Sequence, residues 1–288
     1  SPYADSGETE AELPSAEPEQ VATSALAGLS TFVALEPDAV IEAYEGLMEL
    51  EPGCPEDQDM GGEGDSTVVT WFSEGCTTSG GLEIRGGGRL EHFSRVEGDR
   101  TATGAALSTD GFSMHLAHAD GRSFEMTGYL YYERGTSSEG TDSVFEVSGS
   151  IAADPETAAA SPLLDASVSA QGFLFSFSSG AYVALGGNGA VSGPVLGQAR
   201  AFQFSDLLLL PAGCAREPAG TLSVRDDEGF WHDIVFDAAI LAEDEEPMFD
   251  QALCDGCGAY VAAGQVLGEA CVAQAELQAL MQWEQYPW

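Results

Sequence analysis

The amino-acid sequence predicts a mainly β protein with some helix (α+β). The expected fold is a long antiparallel meander, curved or folded into a sandwich, with N-terminal helices and a C-terminal helix packed on it. Three observations predict this. From about Thr67 to Leu241 the apolar residues recur with a period of two, in runs separated by Gly, Asp, Ser and Pro clusters. The runs are long and follow one another through short turns, which favours sequential antiparallel pairing. On either side of this region the period changes to that of a helix.

Residues 1–14 are acidic, carry Pro2 and Pro14, and lack apolar periodicity, the composition of a flexible arm or tether. The start Ser1-Pro2-Tyr3 reads as a mature end left by processing. Residues 15–50 read as a helical hairpin. Ser15 is a candidate N-cap, with Glu17, Pro18 and Glu19 in the first turn, where acids and Pro are favoured. Val21, Ala25, Leu29 and Phe32 follow helical spacing. Pro37 then restarts the helix, and Val40, Ile41, Tyr44, Leu47 and Met48 form a second stripe.

Residues 51–271 form the expected antiparallel domain. Phe112, Met114 and Leu116 share one face, as do Phe124, Met126 and Leu130, then Phe145, Val147 and Ile151. Phe173, Phe175 and Phe177 alternate with Leu174, Ser176 and Ser178. Gly187-Asn188-Gly189 predicts a hairpin turn, because Asn-Gly tolerates positive φ at both central positions. Residues 272–288 read as a C-terminal helix with an aromatic tail, and 15–288 as one compact unit.

Charge narrows the function classes. The chain has 48 acidic and nine basic residues, a net charge of −39, and all nine basic residues are Arg. So few cations cannot neutralise a nucleic-acid backbone or dock on an anionic membrane. Without Lys there is neither Schiff-base chemistry nor a P-loop. Asn188, the single Asn, is followed by Gly-Ala, so no N-glycosylation acceptor exists. The strongest apolar run, near Leu207–Leu210, is cut by Pro211 and is far shorter than the ~18 residues of a membrane-spanning helix. Such acidity also fits an environment of high salt.

Six Cys is an even number and points to an oxidising compartment: secreted or cell surface, with the periplasm as an alternative. Cys54 and Cys76 form the natural local pair, leaving Cys214, Cys254, Cys257 and Cys271 to pair among themselves. Cys254-Asp-Gly-Cys257 has the CxxC spacing of zinc and redox sites, but lacks a second CxxC and a following helix, so a structural disulfide role is expected.

Asp57, Asp59, Glu63 and Asp65 are candidate calcium ligands. The spacing resembles part of an EF-hand loop, although positions 5 and 12, Gly61 and Val68, supply no carboxylate. An acidic solvated loop is the alternative. The acid clusters 226–228 and 243–246 read as solvated turns that discourage edge pairing. His115 and His118 are three apart on a strand and point to opposite faces. No catalytic motif is present, so no catalytic residue is assigned.

Aromatic residues give the better hint. With Phe124, Met126 and Leu130 facing the core, Tyr129 and Tyr131 face the other way, where aromatics stack sugars or anchor a partner. Both faces could instead be buried. Trp283, Tyr286 and Trp288 are further candidate anchors at the C-terminus. These features predict a non-catalytic extracellular or cell-surface structural or interaction subunit, partnered by other subunits or by copies of itself. The alternatives are a binding module for carbohydrate, or for an apolar ligand in the concave sheet, and a carboxylate-dependent secreted hydrolase. No cofactor is required, and calcium is the one candidate ion.

Overall fold

The computed structural model describes residues 16–109, 111–178, 183–196, 199–208, 214, 216–240 and 248–272. The acidic arm, Ser15, the 243–246 cluster and the C-terminal residues 273–288, with Trp283, Tyr286 and Trp288, lie outside them.

Two helices open the fold, α1 (Pro18–Val33) and α2 (Pro37–Glu45). Each starts with Pro, whose fixed φ suits the first turn and whose missing N–H costs nothing there. Their axes differ by 43° across the short link, so the pair is a bent rod and not the expected hairpin.

The strands are β1 (Asp57–Gly61), β2 (Thr67–Thr77), β3 (Leu82–Glu97), β4 (Arg100–Ser108), β5 (Met114–His118), β6 (Ser123–Thr136), β7 (Thr141–Ala153) and β8 (Ser169–Ser178). They continue as β9 (Val183–Ser192), β10 (Ala201–Leu208), β11 (Ala219–Arg225), β12 (Trp231–Phe236), β13 (Ala239–Ile240), β14 (Met248–Phe249), β15 (Cys257–Ala262) and β16 (Gln265–Cys271). Fourteen of them form one antiparallel sheet, with neighbours in nearly sequential order from β1 to β16. The exception is instructive. β3 and β6 are long enough to hold two shorter strands between them: β4 pairs with their outer halves and β5 with the rest. Among the described residues these strands form one continuous hydrogen-bonded sheet, as the expected antiparallel meander requires.

The helices fill one face of this sheet. α1 lies against β9 to β12 and β16, and α2 against β6. Val21, Ala25, Leu29 and Phe32 are all buried, as the spacing predicts. The Phe32 ring sits edge-on to Phe204 at 5.0 Å and tilted to Phe145 at 6.1 Å. At the other end the Trp71 indole N–H donates to the Tyr44 hydroxyl at 2.9 Å, and burial pushes that phenol up to about 12. Helix side chains thus occupy the face of the strands they cover, which leaves the other face open to a ligand.

Gly187-Asn188-Gly189 corrects the hairpin expectation. It lies inside β9, paired to β8 and β10. The glycines serve close packing instead: a Cβ at Gly189 would lie 2.5 Å from the Phe32 ring, and one at Gly28 would lie 2.2 Å from Phe202. A strand glycine commonly marks such an approach. β8 has the opposite orientation to the one its Phe residues suggest. Leu174 and Ser176 are buried, while Phe173 and Phe175 face outward, 36% and 37% exposed. Phe112 likewise leaves the Met114 and Leu116 face; it precedes β5 and is 52% exposed.

All six cysteines are bridged: Cys54–Cys76, Cys214–Cys254 and Cys257–Cys271. Cys257 and Cys271 are register partners on β15 and β16, so the CxxC cysteines bridge to different partners and not to each other. Three disulfides are compatible with an extracellular protein. Among the described residues no single helix is long and apolar enough to cross a membrane.

Candidate functional site

One face of the sheet is taken by the helices, so binding chemistry has the other. Strand alternation decides which residues reach it. On β6, Leu130 is buried beneath while Tyr129 and Tyr131 stand half-buried on the open face. On β3, Arg89, Glu91, Phe93 and Arg95 point the same way, and Leu90 points inward. Between them β4 contributes Ala106 and Ser108, whose small side chains leave a floor. The result is a groove of about 440 Å³ floored by Ala106 and Ser108 and lined by Tyr129, Tyr131, Phe93, Arg89 and Arg95.

The wall is held rigidly. Phe93 and Tyr131 stack at 5.5 Å with 14° between their planes, and the Arg95 guanidinium lies 4.9 Å over the Phe93 ring. Arg95 donates to the Tyr131 hydroxyl at 2.8 Å, and that hydroxyl donates to Glu133 at 2.8 Å. Arg95 also pairs directly with Glu133. Arg100 joins the Glu133 carboxylate, at 2.5 Å, to Asp142, where its Nε donates at 2.9 Å. Thus one buried carboxylate organises two of the nine arginines. Burial alone would raise the Glu133 carboxyl, but hydrogen bonds from Arg100 and Tyr131 and the charge of Arg95 outweigh it and hold it below the usual range. Burial and the Glu133 hydrogen bond push Tyr131 up to about 12. Burial, with the nearby charges of Glu146 and Glu91, raises Tyr129 as well.

The chemistry on offer is stacking and hydrogen bonding. Arg89 pairs with Glu91 at 2.8 Å, so each is fixed yet still about one-third or more exposed. General acid catalysis on a sugar needs a carboxyl raised toward neutrality beside one that stays ionised. Of the carboxylates at this wall, Glu133 is lowered and fully engaged. Glu217 is raised, chiefly by burial, but it is only 1% exposed, and it accepts backbone N–H bonds from Ala238 and Gly256. His232, also buried, joins Asp226 at 2.7 Å and the Tyr260 hydroxyl at 2.8 Å, so both ring nitrogens are engaged.

The calcium candidates sit in an unexpected place. Asp57–Gly61 is a strand, β1, and not a loop. Asp57 and Asp59 project on the same open face, opposite Phe72 and Thr70. Asp59 and Glu63 line a depression that continues from the tyrosine groove through Ser66, Arg89 and Glu91. Asp65 does not join them there. Among the described residues no three His, Cys, Asp or Glu side chains are gathered so as to hold a metal ion.

Tyr129 and Tyr131 were legible in the sequence, while Arg89, Glu91, Phe93 and Arg95 were missed. Their signal was present: in the segment from Arg89 to Arg95 every second residue is charged or aromatic. Compared with known proteins, the chain matches no family model, no curated protein and no solved structure.

Proposed function

We propose that this is a non-catalytic, disulfide-supported binding module of the secreted or cell-surface compartment, and that it holds a saccharide on the open face of its sheet. One observation carries the reading: aromatic rings and fixed Arg and Glu side chains converge on a groove with a small-residue floor. Pyranose rings present an apolar face that stacks on aromatics and hydroxyls that accept from Arg and donate to carboxylates. Ion pairs already formed in the free protein lower the ordering cost of binding.

A glycan array followed by calorimetry tests this. Binding is expected for at least one oligosaccharide, weakened tenfold or more on the scale of a lost anchor by Tyr131→Ala and by Arg95→Ala. No glycan bound by folded, oxidised protein would overturn it. The second reading, a subunit of a surface assembly, rests on the outward Phe173 and Phe175 of β8. Sedimentation of the purified chain, alone and with Phe175→Ser, tests that reading; a monomer at all concentrations would remove its support.

A further inference from the structure

The tyrosine groove does not end at β3. Its Ser66, Arg89 and Glu91 wall also borders the depression lined by Asp59, Glu63 and Thr70. Asp59 and Thr70 in turn border a third hollow of about 410 Å³, made by Phe72, Phe112 and Gly87. Phe72 and Phe112 pack at 5.2 Å and form a second aromatic platform. Gly87 lies directly between the two rings, since a Cβ there would be 3.3 Å from Phe72 and 3.5 Å from Phe112. All three hollows lie on the face the helices leave open.

Strand register sets the span. Tyr131, Ala106, Glu91 and Val68 are partners across β6, β4, β3 and β2, and Phe72 is four residues beyond Val68. At about 4.8 Å per strand and about 3.4 Å per residue, the two platforms are roughly 20 Å apart. That is several sugar rings end to end and much longer than one.

Charge selects the ligand further. At the tyrosine end every Arg is matched: Arg89 by Glu91, and Arg95 and Arg100 by Glu133 and Asp142. Towards Phe72 the carboxylates are Asp57, Asp59 and Glu63, and none of these forms an ion pair among the described residues, beside the uncharged Gln58, Thr70 and Thr109. The groove therefore has no uncompensated positive charge, on a chain of net charge −39 that repels polyanions.

We infer that the three hollows form one extended groove that binds a linear, neutral oligosaccharide, with Tyr131 and Phe93 anchoring one end and Phe72 and Phe112 the other. This rests on the saccharide reading above and adds chain length, a second anchor and neutrality to it.

The test is calorimetry of the intact oxidised chain with cello-, xylo-, manno- and malto-oligosaccharides, from monosaccharide to hexasaccharide, beside oligogalacturonates. Affinity for at least one neutral series is expected to rise with length and then level off. Phe72→Ala and Phe112→Ala should each lower hexasaccharide affinity by up to about tenfold, the worth of one stacking contact, and leave disaccharide affinity unchanged. Tyr131→Ala should weaken both. Length-independent affinity with silent Phe72 and Phe112 variants would overturn the extended groove and leave the saccharide reading intact. Preferred binding of oligogalacturonate would overturn neutrality. Binding of no saccharide would overturn both proposals together. Phe112 is exposed in a turn, so its variant reports on the groove even where Phe72→Ala disturbs β2.

Discussion

Phe32→Ala would remove the ring that joins α1 to the sheet. The side chain is fully buried, packed edge-on to Phe204 and beside the glycines of β8 and β9. Emptying such a site costs about 3–5 kcal/mol, because the lining relaxes only in part. Gly189→Ala alone should cost about 1–3 kcal/mol by overpacking, since its new Cβ would stand 2.5 Å from the Phe32 ring. The two changes should not add. With Phe32 gone, the Cβ at residue 189 enters the vacated space, and losing a strand glycine stiffens the unfolded chain by about 0.4–1 kcal/mol in favour of folding. A coupling of about 1–3 kcal/mol is expected, the double variant being more stable than the sum predicts. Urea denaturation of the four proteins with disulfides intact measures it. If Gly189→Ala costs the same in both backgrounds, the close approach of helix and strand inferred from the glycines is wrong.

Three other outcomes follow from the same structure. Glu133→Gln should cost about 1–3 kcal/mol at neutral pH, because Arg95 and Arg100 lose their shared carboxylate. The folded-state carboxyl lies below its ordinary value of 4.5, so its stabilisation is present above that pH and is lost as pH falls through the depressed value. Acid denaturation curves should accordingly converge for the two proteins, and a constant gap down to low pH would contradict this. Cys-to-Ala pairs should rank by loop length: separations of 40, 22 and 14 residues for Cys214–Cys254, Cys54–Cys76 and Cys257–Cys271 give losses of about 3.9, 3.4 and 3.0 kcal/mol. Chemical denaturation of each pair checks the order. Finally, a net charge of −39 should make the melting temperature rise with NaCl. Calcium chloride raising it well beyond matched ionic strength would support a specific ion site near Asp57 and Asp59; no excess would leave screening as the whole effect.

The helices show how far local pattern reaches. The stripes Val21–Ala25–Leu29–Phe32 and Val40–Ile41–Tyr44 specified two amphipathic segments and their buried faces, because a 3.6-residue period has one physical solution. Their 43° bend was not legible, since it depends on what the two segments pack against. The same limit appears at Gly187-Asn188-Gly189. Locally it is a good turn, yet packing against Phe32 made better use of its missing side chains.

The groove divides similarly. Alternation on β6 placed Tyr129 and Tyr131 opposite the core residue Leu130 without any structure. It could not say that a small-residue strand, β4, would lie between them and Arg89, Phe93 and Arg95, because β4 and β5 share the space between two longer strands. Nor could it show that Asp57 and Asp59, read as part of an ion loop, stand on the same face as the tyrosines.

By itself the sequence determined the mainly β class, the helical N-terminus and the expectation that the six cysteines are bridged. Each of these follows from period or parity, which are properties of the chain alone. Only the tertiary structure decided that fourteen strands join in one sheet, that the helices cover one of its faces and that the other face carries the groove. Those depend on strand register, which brings Tyr131 of β6 into line with Val68 of β2, 63 positions earlier in the sequence.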